Sequence, residues 1–293
     1  EKTQILSISN FSSRVFEASV DTSVIVIKNG YNQKSKIKVL LDLSSVITTI
    51  KQAEINDIIL TKNPDSVKSI LDKINLGKDR LSNIIEVQQG IIYSGQKKED
   101  VFSNKKFDST YKKILDGRDI SKYSINYNFK KENRYIKYTR QLHRPREERL
   151  FLAEEKIIFP RRSMFFMCTI DFKQFYLLNT AYICLLTNSK YSLKYILGIL
   201  NSKVVNFLYS KTYIGWQITI PAINALPIPE ITPNEQKPFI DLVDQILEIT
   251  SQENYDFKNS PIQQRELEKK IDEMVYELYG LTKEEIGVIE ESF

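Results

Sequence analysis

The chain has 293 residues, of which 42% are hydrophobic and 27% charged, and its formal net charge is +5 at pH 7. This composition is ordinary for a globular protein with one large domain or two, and no apolar run approaches the roughly 18–20 residues of a membrane-spanning helix. Two cysteines exclude a disulfide framework. Cys168 and Cys184 are therefore expected to be small buried side chains, and the protein is expected to be cytoplasmic.

The net charge conceals an uneven distribution along the chain. Residues 234–293 contain 15 acidic and 6 basic residues, a net charge of −9, so the first 233 residues carry +14. A basic body predicts a polyanionic partner, most simply nucleic acid. A solvated lysine-rich surface is the alternative interpretation.

The first 80 residues predict strands followed by a connector. Residues 24–28 (VIVIK) form a β-branched run that ends at Asn29-Gly30, and residues 37–43 (IKVLLDL) form a second run. Continuous apolar runs of this length favour strands that are buried on both faces. A short helix is predicted to begin around Asn63-Pro64-Asp65 and to end before Gly77.

From Leu81 the pattern favours strands joined by glycine turns. Residues 130–149 are the densest basic run, with eight Lys or Arg against three Glu and with Tyr135 and Tyr138 interleaved. Pro145 excludes a long helix there, so a strand followed by a loop is predicted. Arginine side chains can make bidentate contacts with guanine or phosphate. A solvated charged loop is the alternative.

Residues 156–162 (KIIFPRR) predict a strand that ends in two arginines, and two further strands are predicted around Asn179-Thr180. The apolar spacing of residues 191–209 predicts one amphipathic helix. Gly215 and three prolines interrupt the segment that follows. That loop could present its side chains to a ligand, or Trp216 and Tyr213 could fill a core.

The acidic tail predicts helices. One begins near Pro233 with Asn234 as its N-cap, a second runs from Pro261 to Gly280, and Thr282 with Glu285 predicts a capping box for a third. An acidic surface is repelled by polyanions. These helices are therefore interpreted as scaffold, or as a docking surface for another domain.

Several phrases in this order resemble the TaqI-like C-terminal specificity domain. They are ILDGRDI at 114–120, YILGILNSKVVNFLY at 195–209, the Gly215-x-Gln217 loop and LPIPEI at 226–231. The resemblance covers roughly residues 81–230. That domain is the DNA target-recognition part of type IIG restriction-modification enzymes and related adenine-N6 methyltransferases. The phrase VFEASVDTSVIVIKN at 15–29 resembles the last strands of the methyltransferase domain, so the chain is expected to begin inside that domain.

The resemblance implies an α+β fold. It implies a mixed and antiparallel β-rich recognition domain with a long amphipathic helix, followed by a helical region. The expected parts are the end of a methyltransferase domain (1–50), a connector (51–80), the target-recognition domain (81–230) and the C-terminal helical region (231–293).

No catalytic or metal-binding residue is predicted. His143 is the only histidine, and the chain has no zinc-ligand spacing, no glycine-rich phosphate loop and no Asn-Pro-Pro-Tyr or Asn-Pro-Pro-Phe motif. The resemblance implies that the chain is a fragment of an adenine-specific DNA methyltransferase or restriction endonuclease, without a catalytic motif of its own. S-adenosylmethionine, and Mg²⁺ where a nuclease is attached, are expected on parts outside this chain.

The implied function is sequence-specific DNA recognition that directs adenine-N6 methylation, and cleavage where a nuclease is attached. The implied partners are double-stranded DNA and the methyltransferase domain of the same polypeptide, with no membrane. The candidate DNA-binding residues are Arg118, Lys122, Arg140, Arg144, Arg146, Arg161, Arg162, Lys211, Tyr213, Trp216 and Gln217. Two alternatives remain open: a type I-like specificity subunit, and a protein-interaction scaffold without a DNA role.

Overall fold

The computed structural model of the chain describes residues 3–10, 23–30, 32, 34–41, 45–51, 65–127, 134–213 and 217–293. It divides into two compact units. Unit 1 comprises Glu1–Leu71 with Ser210–Gly215, and unit 2 comprises Asp72–Tyr209 with Trp216–Phe293. These two units are defined by which residues pack together. The four parts expected from the sequence, at 1–50, 51–80, 81–230 and 231–293, stay a prediction.

The strands that the structure describes are β1 (Thr3–Asn10), β2 (Ser23–Asn29), β3 (Lys36–Leu41), β4 (Ser45–Lys51), β5 (Asp79–Arg80), β6 (Ile85–Gln89), β7 (Phe102–Ser103), β8 (Tyr111–Leu115), β9 (Ile120–Ser121), β10 (Ser124–Ile125), β11 (Tyr135–Lys137), β12 (Lys156–Pro160), β13 (Thr169–Asp171), β14 (Tyr176–Leu177), β15 (Ala181–Leu186) and β16 (Pro227–Ile228). The α-helices within the same residues are α1 (Asp65–Asn75), α2 (Lys98–Val101), α3 (Arg149–Leu152), α4 (Leu193–Leu200), α5 (Lys203–Thr212), α6 (Ile220–Asn224), α7 (Pro233–Thr250), α8 (Ile262–Leu278) and α9 (Lys283–Glu290). None of these helices is long and apolar enough to cross a membrane.

Unit 1 contains a mixed sheet with the strand order β2-β1-β3-β4, in which β1 and β3 are parallel. The two predicted strands are confirmed as β2 and β3, whereas β1 and β4 were not predicted. The prediction that the 24–28 run is buried on both faces is wrong. Val24 to Ile27 are 40–61% exposed, and since successive side chains of a strand point to opposite faces, both faces of β2, the edge strand of this sheet, are exposed.

Two four-stranded sheets of unit 2 share a core. Their orders are β14-β8-β11-β7 and β13-β12-β15-β6. The core includes Leu115, Ile136, Ile158, Leu177 and Ile183, which come from both sheets. The predicted strands at 156–160 and on either side of Asn179-Thr180 are confirmed.

Strand β12 contains a buried charge. The Lys156 ammonium lies 2.8 Å from the Asp171 carboxylate and donates to the Phe151 carbonyl at 2.8 Å. Burial lowers the pKa of Lys156, while Asp171 acts in the opposite direction. Such a pair is retained only where both charges have good partners, because its desolvation cost is large.

The 191–209 pattern predicted one long amphipathic helix. This prediction is wrong in one respect, because the segment forms two helices, α4 and α5. The chain breaks at Asn201 and Ser202. The Asn201 side chain accepts a hydrogen bond from the Cys168 amide and donates one to the Cys168 carbonyl, both at 2.9 Å. The first amide of α5, on Lys203, donates to Asp272 at 2.8 Å. The break is therefore fixed by tertiary hydrogen bonds that apolar periodicity does not reveal.

The C-terminal helices form part of unit 2, where α7 packs against α4 and α8 packs against α7. The predicted N-cap Asn234 is wrong. Thr232 caps α7 and forms a reciprocal capping box with Glu235, and Pro233 occupies the first turn. The capping box of Thr282 and Glu285 is confirmed in α9.

The acidic helices bind lysines of the basic body. Lys122 lies 2.6 Å from Glu268 on α8, and Lys194 lies 2.6 Å from Asp244 on α7. Lys73 lies 2.7 Å from Glu285 on α9. These ion pairs agree with the interpretation of the tail as scaffold, and they give its negative charge an internal partner.

Replacement of Asp272 by Asn tests the scaffold electrostatically. Burial raises the pKa of Asp272 to about 6, above its ordinary value of 3.8. The folded state thus holds this proton more tightly than the unfolded chain does, so the ionised carboxylate costs stability at neutral pH. Asn keeps an acceptor for the Lys203 amide. We expect Asp272→Asn to raise the free energy of unfolding by up to about 3 kcal/mol near pH 8.

The advantage of the Asn variant should shrink as the pH falls from about 6 towards 3.8 and should vanish below 3.8, where the parent carboxyl becomes neutral in both the folded and the unfolded state. Urea unfolding across this pH range measures it. Asp241→Asn, at an exposed carboxylate of the same helical region, is the control. A pH-independent difference between parent and Asp272→Asn would show that Asp272 is not the titrating group.

Candidate functional site

A cavity of about 940 Å³ opens in unit 2 where several strands end. Asp116 to Arg118 follow β8, Arg161 and Arg162 follow β12, and Thr180 precedes β15. Five cationic residues and one carboxylate, Asp116, line the cavity. We call it the arginine cavity, and its cations are Lys98, Arg118, Arg134, Arg161 and Arg162.

The turn after β8 forms one wall. Residues Gly117–Asp119 make a 3-10 turn that is closed by a reciprocal capping box. The Asp116 carboxylate accepts from the Arg118 amide at 2.8 Å, and the Asp119 carboxylate accepts from the Asp116 amide at 2.8 Å. The Arg118 side chain is 84% exposed and pairs with Asp116 at 3.3 Å. The GRD phrase therefore folds into a rigid turn that presents one arginine to solvent.

Gly117 permits a close approach at this wall. Its amide donates to the Thr180 hydroxyl at 2.9 Å. A Cβ at this position would lie 2.4 Å from the Thr180 carbonyl oxygen, which is backbone and cannot rotate away. Glycine is thus required by space rather than by a positive φ.

Arg134 is a buried part of the lining. Its side chain and that of Asp119 are each 4% exposed, and Nη1 of Arg134 donates to both Asp119 oxygens at 3.1 and 3.3 Å. The guanidinium lies 4.0 Å from the centre of the Tyr127 ring. Nε and Nη2 are buried and have no hydrogen-bond partner among the residues that the structure describes. A buried donor without a partner costs about 1–3 kcal/mol.

Arg161 is held by its backbone. Its amide donates to the Thr180 carbonyl at 2.8 Å, and its carbonyl accepts from the Ile218 amide at 2.9 Å. Its Nε is also buried and without a partner in the described part of the chain. Burial raises the pKa of Tyr182, while the Arg161 guanidinium beside it acts in the opposite direction. A second arginine of the cavity therefore has an unused donor.

An aromatic pair completes the lining. Tyr93 and Phe102 meet edge to face with ring centroids 4.7 Å apart. Tyr93 belongs to the segment 91–94, in which Ile92 exchanges backbone hydrogen bonds of 2.9 and 3.1 Å with Arg144. Residues 139–146, the basic loop, are thus anchored to a segment that also lines the cavity.

The structure brings four of the predicted site residues together. Arg118, Arg161 and Arg162 line the arginine cavity. Gln217 is exposed and forms a β-bridge with Arg162, so it lies beside the cavity. These four residues come from segments that are up to 99 positions apart in the sequence.

The basic loop holds three further predicted residues. Arg140 and Arg144 are exposed. Arg146 has a positive φ of 68° and is half-buried, and its Nε donates to the Gly90 carbonyl at 3.2 Å. Burial lowers the pKa of Arg146. Arg146 therefore also anchors the loop, whereas Arg140 and Arg144 reach solvent.

The other predicted residues lie elsewhere. The Lys122 ammonium is paired with Glu268, so a contact with phosphate would have to displace that carboxylate. Lys211 and Tyr213 belong to unit 1 and are half-buried. Trp216 lies outside the described residues. The roles predicted for these residues stay predictions.

Sequence reasoning missed Arg134, Tyr93, Lys98 and Thr180 as lining residues. Arg134 was counted only as one member of a basic run. No local signal separates it from its exposed neighbours, since its burial depends on Asp119, 15 positions away. The Gly117-Arg118-Asp119 phrase was the usable signal, because a turn with a buried Asp calls for a cationic partner.

The described residues contain no group of three His, Cys, Asp or Glu positioned to hold a metal ion. Cys168 and Cys184 are buried and unlinked, and burial raises the pKa of both thiols. A raised pKa keeps a thiol protonated, so neither sulfur is an activated nucleophile. The cations of the lining suit the cavity to anions and hydrogen-bond acceptors. The described lining residues include no nucleophile–base pair.

Residues 112–228 match the family model of the TaqI-like C-terminal specificity domain. This match confirms the family resemblance for a segment that includes Arg118, Arg134, Arg161 and Arg162. No curated protein matches the chain.

The fold is similar to that of the type IIL restriction-modification enzyme MmeI, whose structure was solved in complex with DNA. The identity is 12%, the alignment covers 99% of this chain and 45% of that chain, and the TM-score is 0.53. The type IIG restriction endonuclease BpuSI aligns at 13% identity over 94% of this chain and 44% of that chain, with a TM-score of 0.44. The HsdS subunit from Thermoanaerobacter tengcongensis aligns at 12% identity over 73% of this chain and 50% of that chain, with a TM-score of 0.40.

The likeness to MmeI concerns the fold, and it confirms the predicted α+β class. The chain spans about 45% of the length of MmeI.

Replacement of Gly117 by Ala tests the wall of the cavity. The new Cβ would force the turn away from the Thr180 carbonyl, so we expect the free energy of unfolding to fall by about 1–3 kcal/mol. Gly287→Ala in α9 is the matched control, since nothing lies within 4 Å of its added Cβ and alanine favours a helix by up to about 1 kcal/mol. An unchanged urea midpoint for Gly117→Ala would contradict the close approach.

Proposed function

We propose that this chain is the DNA target-recognition part of a type II (IIG) restriction-modification enzyme. It directs adenine-N6 methylation, and cleavage where a nuclease is attached, which are carried out by parts of the enzyme outside this chain. The observation that carries the proposal is the specificity-domain match at 112–228, together with the four arginines of that segment that meet at one cavity.

In this proposal the cavity arginines and the basic loop contact both the phosphates and the bases of the DNA. Lysine and arginine contacts to phosphates supply affinity and set the register on the duplex, and contacts to base edges supply specificity. Arg140 and Arg144 are exposed on a loop whose backbone is anchored by hydrogen bonds. Such a loop holds its side chains in a fixed position, which contacts to base edges require. Arg162 and Gln217, joined by a bridge, offer a cation and an amide side by side. Arginine suits guanine and glutamine suits adenine in the major groove.

The remaining partners follow from the same proposal. The sheet of unit 1 is the end of a methyltransferase domain of the same polypeptide. The exposed apolar side chains of β2 support this, because an edge strand of this kind is normally covered. S-adenosylmethionine binds to that domain outside this chain, and Mg²⁺ serves a nuclease where one is attached.

Selection against a randomised duplex library tests the proposal directly. The chain should enrich a defined motif, and the bound fraction should fall steeply between low and near-physiological salt, because phosphate contacts release counterions. Salt-sensitive binding without a motif would mean that register requires the methyltransferase domain. Absence of binding even at low salt would overturn the proposal.

Arg144→Gln separates base reading from phosphate contact on the enriched site. A base reader should lose about 1–3 kcal/mol of discrimination at one base pair, and a phosphate contact should weaken all sequences alike and lower the salt slope by about one. Arg265→Gln, at an exposed arginine of α8, is the control for the loss of one charge. Equal affinity of Arg144→Gln and the parent for every sequence would remove Arg144 from the interface.

A further inference from the structure

The arginine cavity is larger than a phosphate contact requires. Its volume of about 940 Å³ falls in the range of roughly 300–1,000 Å³ that small-molecule sites occupy. Arg134 in its lining is 4% exposed. The phosphates of an intact duplex lie on a broad convex surface, so a paired strand can cover the mouth of such a cavity but cannot fill it. A ligand that fills the cavity must therefore be narrower than a paired strand.

The donors that remain unused define the charge of this ligand. Nη1 of Arg134 is committed to Asp119, whereas Nε and Nη2 have no partner among the described residues. These two nitrogens lie along one edge of the guanidinium plane. That edge matches two oxygens of a phosphate or carboxylate. Nε of Arg161 is likewise unpartnered in the described chain. With five cations and one carboxylate in the lining, the cavity favours an anion over a neutral ligand.

The rest of the lining fits a flat ring. The half-buried Tyr93 ring is supported edge to face by Phe102, and aromatic side chains are the usual platforms for unstacked bases. Asn179 and Thr180, from the turn before β15, add polar groups to the lining. An inorganic anion would make no contact with the aromatic pair or with the polar turn. A base joined to a phosphate uses the arginines, the aromatic pair and the polar turn together.

We infer that the arginine cavity binds a nucleoside monophosphate group, with its phosphate on Arg134 and Arg161 and its base against Tyr93. Such a group has two sources: a single nucleotide turned out of a DNA duplex, or a free nucleotide. The DNA source rests on the proposed function. In that case the specificity domain holds one unpaired nucleotide in addition to its contacts with the duplex, and the cost of unstacking that nucleotide contributes to the choice of site.

Calorimetric titration of the full chain with the four deoxynucleoside 5′-monophosphates, and separately with inorganic phosphate, tests the chemistry. At least one mononucleotide should bind about tenfold more tightly than phosphate, because stacking adds to the charge contact. Arg161→Gln should weaken both ligands. Tyr93→Leu should remove the advantage of the mononucleotide and leave the affinity for phosphate as in the parent. Arg265→Gln should change neither affinity.

Arg162→Gln provides a second variant at an exposed lining residue, in case Arg161→Gln does not fold. The inference is overturned if no mononucleotide binds more tightly than phosphate. It is also overturned if both arginine variants, shown to be folded by their unfolding transitions, bind as the parent does.

Duplexes distinguish the two sources. If DNA supplies the nucleotide, a duplex with one unpaired nucleotide should bind more tightly than its fully paired counterpart, and excess mononucleotide should remove that difference. If mononucleotides bind and the unpaired nucleotide gives no advantage, the cavity takes a free nucleotide. Paired duplexes that bind while mononucleotides do not would overturn this inference and leave the proposed function intact. If mononucleotides bind and no duplex does, the inference stands and the proposed function is overturned.

Discussion

The candidate site depends on one buried ion pair, between Arg134 and Asp119. The Asp119 carboxylate closes the turn after β8 through the Asp116 amide and also accepts from the Arg134 guanidinium. Each side chain is 4% exposed, so the removal of one partner would leave the other charge buried without compensation, which costs about 3–5 kcal/mol in comparable proteins. The pair thus joins the end of β8 to the start of β11 and fixes one part of the cavity lining.

The same pair explains why the cavity has unused donors. A guanidinium has five N–H groups, and one carboxylate cannot satisfy all of them. The guanidinium also lies 4.0 Å from the centre of the Tyr127 ring, which helps to hold its plane. The structure therefore places a pre-oriented cation in the cavity lining, with two buried donors that have no partner among the described residues. Sites that bind anions are commonly arranged in this way, with donors positioned before the ligand arrives.

Local signals in the sequence predicted much of this fold. The strand before Arg161 and Arg162, the two strands around Asn179-Thr180 and the capping box at Thr282 each depend on neighbouring residues, and each is present. The features that were mispredicted depend on distant partners. The break between α4 and α5 is fixed by Cys168, 33 positions before Asn201. The partner of Lys122 is equally distant in the sequence, since Lys122 pairs with Glu268, 146 positions away, and its predicted contact with DNA stays a prediction. Arg161 and Arg162 were predicted through the family resemblance, whereas Arg134 lacked any local sign of burial.

The acidic helices have a consequence for the direction in which a polyanion can approach unit 2. Their carboxylates lie against Lys73, Lys122 and Lys194, so the positive charge of these lysines is cancelled close to its source and is weak beyond a Debye length. The exposed arginines Arg140 and Arg144 lie on the basic loop, and the exposed Arg162 lies at the cavity. The charge that attracts a long polyanion to unit 2 is therefore concentrated at the cavity and on the basic loop, whereas the lysines paired with the acidic helices add little to it. Long-range forces would orient the encounter before any contact forms, which shortens the search for the productive face.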